Sequence, residues 1–488
     1  MQRPPDLFAR HHEWDDLIDF ATRPGPGIRL ALVRGRRRQG KSFLLRRLAA
    51  QLGGFYYQAA EEERHQALAS IGATLGQHLG VPGGRLTVDS WDDVFTALEG
   101  LPSGRGPTVA VIDEFPYLLH HSPEVPSLLQ RTIDRSRDGG APLRLIVCGS
   151  ALSIMADLLT GTQALRGRAT LDIDVRTFDF RSAASFWGIT DPQTAFNVHA
   201  VLGGTPGYRD LLTGRTPRRV SDVEAWLAAG PLNPASALFR EDDYLLTEER
   251  SLTDRALYHS VVAAIANGQS TQTGIAAALG REARSVQHHL TALEHAGFIS
   301  RSDDALRSRR PIYGVADPIV RFHHVVTRRD LPRFEERRTA EAWADARPRF
   351  RTHVLGPHFE SLAREFAFRF AAPSTIGGAA ATVGAAVVND AKARTQHEVD
   401  VVVRGRVESG AAPILAIGEA KHTAEKRTRA DLTRLEHVRS VIAQRHPSAT
   451  ASRLLLFSAS GFDAHLAAEA AKREDVELID MVRLYTGE

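Results

Sequence analysis

The sequence predicts an α/β protein of several domains, and three stretches carry that expectation. Apolar runs at residues 30–33, 108–112 and 143–147 alternate with helical patterns, the rhythm of a parallel sheet covered by helices. From Leu257 the pattern becomes helix, glycine turn, helix and polar hairpin. Beyond residue 348, two more apolar strands lie between helical patterns at 354–370 and 430–443. With 488 residues and about 150 per domain, roughly three domains are expected.

The first domain is organised around residues 30–48. Residues 11–20 form a lead-in helix with Trp14, Leu17 and Ile18 on its apolar face, and residues 24–27 break it before the first strand. Gly35 to Ser42 then spells G-x-x-x-x-G-K-S, with Gln39 inside it before Gly40 and Phe43 directly after it. Gly35 and Gly40 let backbone N–H groups turn inward around a triphosphate. Lys41 reaches the outer phosphates, the Ser42 hydroxyl can ligate Mg2+, and the helix N-terminus adds its positive end. Positive charge in this chain is nearly all arginine. The only lysines are Lys41, Lys392, Lys421, Lys426 and Lys472, so a lysine at this position points to a need for a compact ammonium.

Further strands supply the partners of such a loop. Residues 53–57 read as a strand and residues 91–98 as a helix. The strand at 108–112 ends in Asp113-Glu114, a pair able to hold the Mg2+ shell (Asp113) and polarise an attacking water (Glu114). The strand at 143–147 ends in Cys148-Gly149-Ser150, where Ser150 is either a phosphate sensor or a helix N-cap. In Leu165-Arg166-Gly167-Arg168, either arginine can act as a finger toward nucleotide, with plain surface arginine as the alternative.

These motifs, with D-E-F-P-Y-L from Asp113 and G-G-T-P-G-Y from Gly203, resemble the archaeal-type ATPases of the AAA+/STAND group in kind and order. Phe8-Ala9-Arg10 is similar to that group's short N-terminal F-x-x-R element, one residue short. The resemblance implies an ATP- and Mg2+-binding AAA+ P-loop NTPase core over residues 1–180, with sheet order 5-1-4-3-2, and a helical lid over 181–250 that contains the G-G-x-P segment. R-E-D-D-Y-L-L-T-E-E, from Arg240, resembles the group's acidic connection out of the lid.

Residues 251–327 describe a winged helix-turn-helix. In a DNA-reading module Arg284, Ser285, Gln287 and His288 would open the recognition helix, while Arg307, Arg309 and Arg310 would sit in the wing. Arginine is dense between residues 301 and 351, which favours DNA contact over packing between domains. Residues 330–338 read as a linker or exposed helix start, and residues 328–347 carry no assignment.

In the last stretch, Asp400 opens an apolar strand, and Glu419 and Lys421 alternate at the end of the next, so both face one side. Two carboxylates beside a lysine can hold one or two Mg2+ ions against a phosphodiester and orient water. L-G-x-x-F-E (from Leu355), E-V-D (from Glu398), G-E-A-K (from Gly418) and F-S-A-S-G-F (from Phe457) resemble the PD-(D/E)xK nuclease domain carried by archaeal-type ATPases. The resemblance implies a restriction-endonuclease-like α/β domain over 348–488. It makes Glu360 the acidic residue of the first helix, Asp400 and Glu419 the metal ligands, and Lys421 the catalytic lysine. Val399 stands in place of the proline of the motif's name, and His422 follows Lys421.

Composition sets the remaining bounds. A single cysteine, Cys148, excludes an internal disulfide framework and a cysteine-based zinc site, and fits a reducing cytoplasm. No membrane span or secretory signal is expected. A net charge of +3 permits a nucleic-acid partner without arguing for one. The His288-His289 and His323-His324 pairs lack a carboxylate or cysteine at ligand spacing, so packing or surface roles are the stronger reading. The expected function is ATP hydrolysis coupled to Mg2+-dependent DNA cleavage. The alternatives are an ATP-gated DNA-binding switch with an inactive nuclease fold, and an ATPase that remodels protein assemblies. The AAA+ group often forms rings, so a homo-oligomer is compatible.

Overall fold

The strand expected at 30–33 runs Ile28–Arg34 (β1), and four more join it: Phe55–Gln58 (β2), Thr108–Asp113 (β3), Leu143–Gly149 (β4) and Ala169–Asp174 (β5). All pairings are parallel and the order is β2-β3-β4-β1-β5, the 5-1-4-3-2 arrangement that the resemblance implies. Alternation along β1 explains why its run is apolar without a break. Leu30 and Leu32 enter a core with Leu68, Trp91 and Leu129 from helices Arg64–His78, Trp91–Glu99 and Val125–Ser136. Ala31 and Val33 face Trp14 and Leu17 of helix His11–Thr22 and Leu44 and Leu48 of helix Lys41–Leu52. Both faces of the sheet are therefore covered, as a parallel sheet requires.

In this computed structural model all residues are described except 105, 138, 162, 213, 250, 251, 253, 308, 408–410 and 488. They form two compact units: Met1–Phe178 with Thr205–Gly207 and Thr247–Ser251, and Asp179–Gly204 with Tyr208–Leu246 and Leu252–Glu488. The domain boundary expected at 250/251 lies outside the described residues. Among the described residues no helix is long and apolar enough to cross a membrane.

The second unit contains helices Arg255–Ala266, Gln272–Ala278 and Ala283–His295 and an antiparallel hairpin, Ile299–Asp303 (β6) with Pro311–Val315 (β7). Its large sheet has five strands: Thr382–Asp390 (β8), Thr395–Arg404 (β9), Ile414–Lys421 (β10), Arg453–Ser458 (β11) and Val476–Asp480 (β12). They run in the order β12-β11-β10-β9-β8. β8, β9 and β10 pair antiparallel and β10, β11 and β12 parallel. Helix Arg429–Ala443 buries Leu432, Leu435 and Val438 against one face, and Phe366 of helix Gly356–Arg369 meets Phe457 of β11 at 6.0 Å between ring centroids.

Of the two readings of residues 330–338 the helix start holds: helix Leu331–Glu335 begins there with Pro332 in its first turn, and it is anchored by the buried Phe334, whose ring lies 6.4 Å from that of Phe239. One expectation changes. Asp400 does not open its strand but sits in the second half of β9, because Thr395–Glu398 pair with β8 as well.

Candidate functional site

The phosphate loop bridges β1 and helix Lys41–Leu52 with its glycines where other residues are strained. Gly35 has φ 155° and Gly40 φ 90°, and a Cβ on Gly35 would stand 2.4 Å from the Val175 carbonyl oxygen. Lys41 is buried at the start of the helix and donates from Nζ to the Arg36 carbonyl at 2.9 Å. Burial pushes its ammonium below the ordinary lysine range, opposed by the nearby Cys148, Glu114 and Asp113. Ser42 is half-buried one residue on, and Phe43 is exposed with the Arg47 guanidinium 5.0 Å from its ring centroid. Gln39 is buried, and its carbonyl accepts from Arg10 Nη2 at 2.9 Å, so the F-A-R element braces the loop.

Asp113 and Glu114 stand at the C-terminal end of β3, the end at which open α/β sheets bind ligands. Asp113 is fully buried; Oδ1 accepts from the Glu114 amide at 2.9 Å and Oδ2 from the Tyr56 hydroxyl at 2.6 Å. Glu114 adopts φ 53°, a left-handed conformation uncommon for a non-glycine residue. Burial raises its carboxyl above the usual range, and the Ser150 hydroxyl donates to it at 3.0 Å. The donor set fits a magnesium nucleotide: a buried ammonium, a sequestered carboxylate, a second carboxylate aimed by a serine, and a glycine cradle. Ser42 and Asp113 are the residues that would hold the Mg2+ ion.

Three further contacts complete this region. The Gly207 amide donates to the Arg38 carbonyl at 2.9 Å, which places Thr205–Gly207 on the phosphate loop. Glu249, from the acidic connection, accepts from the Leu152 amide at 2.9 Å and the Ser153 hydroxyl at 2.7 Å, and Glu248 pairs with Arg37. Arg168 Nη2 lies 2.9 Å from Asp134 Oδ2, and Arg166 donates to the Gly161 carbonyl at 2.8 Å. Arg166 and Arg168 are thus both engaged within the chain. Tyr56 and Glu249 were not anticipated; Glu249 stands in a run of five acidic residues within nine, where nothing singles it out.

In the second unit, β9 and β10 bring together the predicted carboxylates. Asp400 Oδ2 accepts from the Ala420 amide at 2.8 Å, and Lys421 Nζ lies 3.2 Å from Glu419 Oε1, as their shared face requires. Asp400 and Glu419 are both buried. Glu360, on helix Gly356–Arg369, is pushed up to about 7, first by burial and then by Asp400; Asp400 is raised by burial too. Glu360 feels the charge of Asp400, and Asp400 that of Glu419; these three are the residues that would hold a divalent cation, although they are not among the groups of described residues whose ligand atoms all lie within 4.8 Å of one another. Cations of the chain already answer part of that charge. Arg434 pairs with Glu419 Oε1, Arg427 Nη2 lies 3.6 Å from Oε2, and Arg364 donates to the Asp400 carbonyl at 2.9 Å.

Arg284, Ser285, Gln287 and His288 are exposed on helix Ala283–His295, while Val286, Leu290 and Leu293 turn inward. The hairpin is not free along its length. The Ala305 amide donates to the Ala385 carbonyl at 2.9 Å, the Val387 amide to Asp304 Oδ2 at 3.0 Å, and Leu306 packs on the core beneath β8. Arg309 remains exposed at φ 61°. The arginine density also has internal uses: Arg333 pairs with Asp345 at 2.8 Å and Arg347 with Glu224 at 3.0 Å, while the half-buried Arg321 donates to the Val315 carbonyl at 2.7 Å.

A phosphate loop after β1, an Asp-Glu pair after β3 and a serine after β4, in a sheet of this order, define the core of a P-loop ATPase fold. A Walker-type ATPase of Pyrococcus abyssi has a similar fold, with 20% sequence identity and a TM-score of 0.51, covering 66% of this chain and 97% of that one. The ORC2 protein of Aeropyrum pernix, in ADPNP–ADP complexes, is a more distant likeness: TM-score 0.42, 15% identity, 70% of this chain and 96% of that one. An uncharacterized protein of Methanocaldococcus jannaschii is 24% identical over 345 residues, 69% of this chain and 72% of that protein. No protein-family model matches the chain.

Proposed function

We propose that this chain binds and hydrolyses ATP in its first unit and uses that cycle to control Mg2+-dependent DNA cleavage by its second. In this reading residues 1–180 are an AAA+ core, 181–250 its lid, 251–327 a DNA-reading winged helix and 348–488 a PD-(D/E)xK domain. The observation that carries it is the buried Lys41 beside Asp113 and Glu114 at the ligand end of one sheet, in a chain whose other sheet collects Glu360, Asp400, Glu419 and Lys421.

At the first site Lys41 and the loop amides take the phosphate charge, and Glu114, held by Ser150 and raised toward neutrality, orients water and accepts its proton. Mg2+ held by Ser42 and Asp113 would neutralise phosphate charge there. At the second site Lys421 offsets the charge that develops on a phosphodiester, and Glu360, Asp400 and Glu419 would hold the metal ion. The exposed face of Arg284, Ser285, Gln287 and His288, with Arg309, supplies DNA contacts.

The test is cleavage of labelled linear and branched DNA with Mg2+ or Mn2+, with and without ATP, by wild type, Lys41→Ala and Lys421→Ala. Loss of cutting in Lys421→Ala, and loss of its ATP dependence in Lys41→Ala, is the expected outcome. One observation favours a second reading, an ATP-gated DNA-binding switch: Arg427 and Arg434 already occupy the Glu419 oxygens that a metal needs. Intact DNA under every metal condition, with ATP still shifting its binding, would select that reading.

A further inference from the structure

Four polar side chains that neither site uses meet inside the second unit. Asp242, from helix Glu241–Glu248, is buried, and both of its carboxylate oxygens lack a hydrogen-bond donor. His323 Nδ1 stands 2.9 Å from Oδ1 and His324 Nε2 stands 3.8 Å from Oδ2. Neither approach has the geometry of a hydrogen bond, although the first has its length. His259, from helix Arg255–Ala266, closes the group: one ligand atom each from Asp242, His259 and His324 lies within 4.8 Å of the others. Both ring nitrogens of His324 and Nδ1 of His259 are likewise buried without partners.

A carboxylate sequestered from water without a donor costs several kcal/mol, so folds seldom keep one uncompensated. An imidazolium beside Asp242 would compensate it by donating a hydrogen bond, yet no such bond forms. The backbone is specialised here as well. His323–Thr327 forms a π-helical turn, a rare geometry that is concentrated at functional sites. Successive side chains of an α-helix diverge by about 100°. The wider turn lets the adjacent His323 and His324 both reach Asp242.

We propose that Asp242, His259 and His324 hold one divalent transition-metal ion of the zinc class, with His323 on the other oxygen of Asp242. Two imidazole nitrogens and one carboxylate oxygen form a borderline donor set, suited to Zn2+ or Co2+ rather than to the oxygen-seeking Mg2+ or Ca2+. His323 then orients the ligating carboxylate from outside, the usual role of such a partner. The ion ties together three segments distant in sequence: the helix of the acidic connection, helix Arg255–Ala266, and the π-helical turn at His323–Thr327.

The test uses the full-length protein, stripped with EDTA and titrated with Zn2+ or Co2+. Metal content after desalting, the visible absorption of bound Co2+ and the thermal midpoint are the readouts. Wild type is expected to retain about one equivalent with a raised midpoint, and His324→Gln and His259→Gln to lose it. Asp390, His397 and His437 also bring ligand atoms within 4.8 Å, so His437→Ala is included and should leave the equivalent in place. Wild type that retains no Zn2+ and shows no Co2+ absorption overturns the proposal, as does retention of the metal by either glutamine variant. Loss of the metal in His437→Ala alone assigns the ion to the other cluster and also overturns it. The half-buried His259 is the milder variant should His324→Gln not fold.

Discussion

Replacing Glu360 with glutamine separates the charge on this residue from its shape. Its carboxyl ordinarily titrates near 4.5 and is pushed to about 7 by burial and by Asp400. Below the lower value the folded and unfolded chains both carry the proton. Between the two values only the folded chain keeps it, so stability falls as pH rises, and above about 7 the full loss has been incurred. At about 1.4 kcal/mol per pH unit the displacement corresponds to about 3 kcal/mol, and the raised Asp400 acts in the same direction. Glu360→Gln should therefore match wild type at pH 4.5 and exceed it at pH 8, raising the thermal midpoint of the second unit by several degrees. Mg2+ should reverse the order at pH 8, because only the wild-type carboxylate can join Asp400 and Glu419 around the ion. Thermal melts at four pH values, with and without 5 mM Mg2+, read both effects. Parallel pH profiles for the two proteins would refute the account of Glu360 as a carboxyl held protonated by its surroundings.

Further substitutions probe the other claims. Glu114→Gln should bind ATP and fail to turn it over, trapping the nucleotide on filter binding; unchanged phosphate release would remove Glu114 as the base. Glu249→Ala leaves the Leu152 amide and the Ser153 hydroxyl without this acceptor, and should cost the first unit about 1–3 kcal/mol, seen as a lower urea midpoint. Leu290→Ala opens a cavity beneath the exposed face of Arg284 and His288 and should cost about 2–5 kcal/mol. A cost below about 1 kcal/mol would mean that this helix is not packed as described.

Periodicity and local motifs carried most of the fold to the surface of the sequence. The β1 strand and the helices starting at Trp91 and Arg429 fall within a residue or two of their expected limits. β5 escaped notice because Ala169–Asp174 alternates with exposed, charged positions rather than forming an apolar run. The Glu419–Lys421 pair was legible because period-two alternation in a strand fixes a shared face. Distance in sequence hid the rest. Asp242 belongs with His323 and His324 only after the second unit has folded, and searching for a ligand at local spacing could not reach it. The arginine density misled for a similar reason, since the carboxylates that bind Arg333 and Arg347 come from other segments.

The hairpin tip has a consequence for the solubility of the second sheet. β8 is the edge strand, and an edge offers a row of unpaired amides and carbonyls on which another chain can add. Asp304 and Ala305 occupy part of that row at Val387 and Ala385, beside the register shift between Gly384 and Ala386, while Leu306 plugs the apolar seam below. The loop between β6 and β7 thus serves as a stopper for the sheet beside it. A fragment cut after residue 347 would bare the strand and the seam together, and such a fragment would self-associate in conditions where the intact chain remains dispersed.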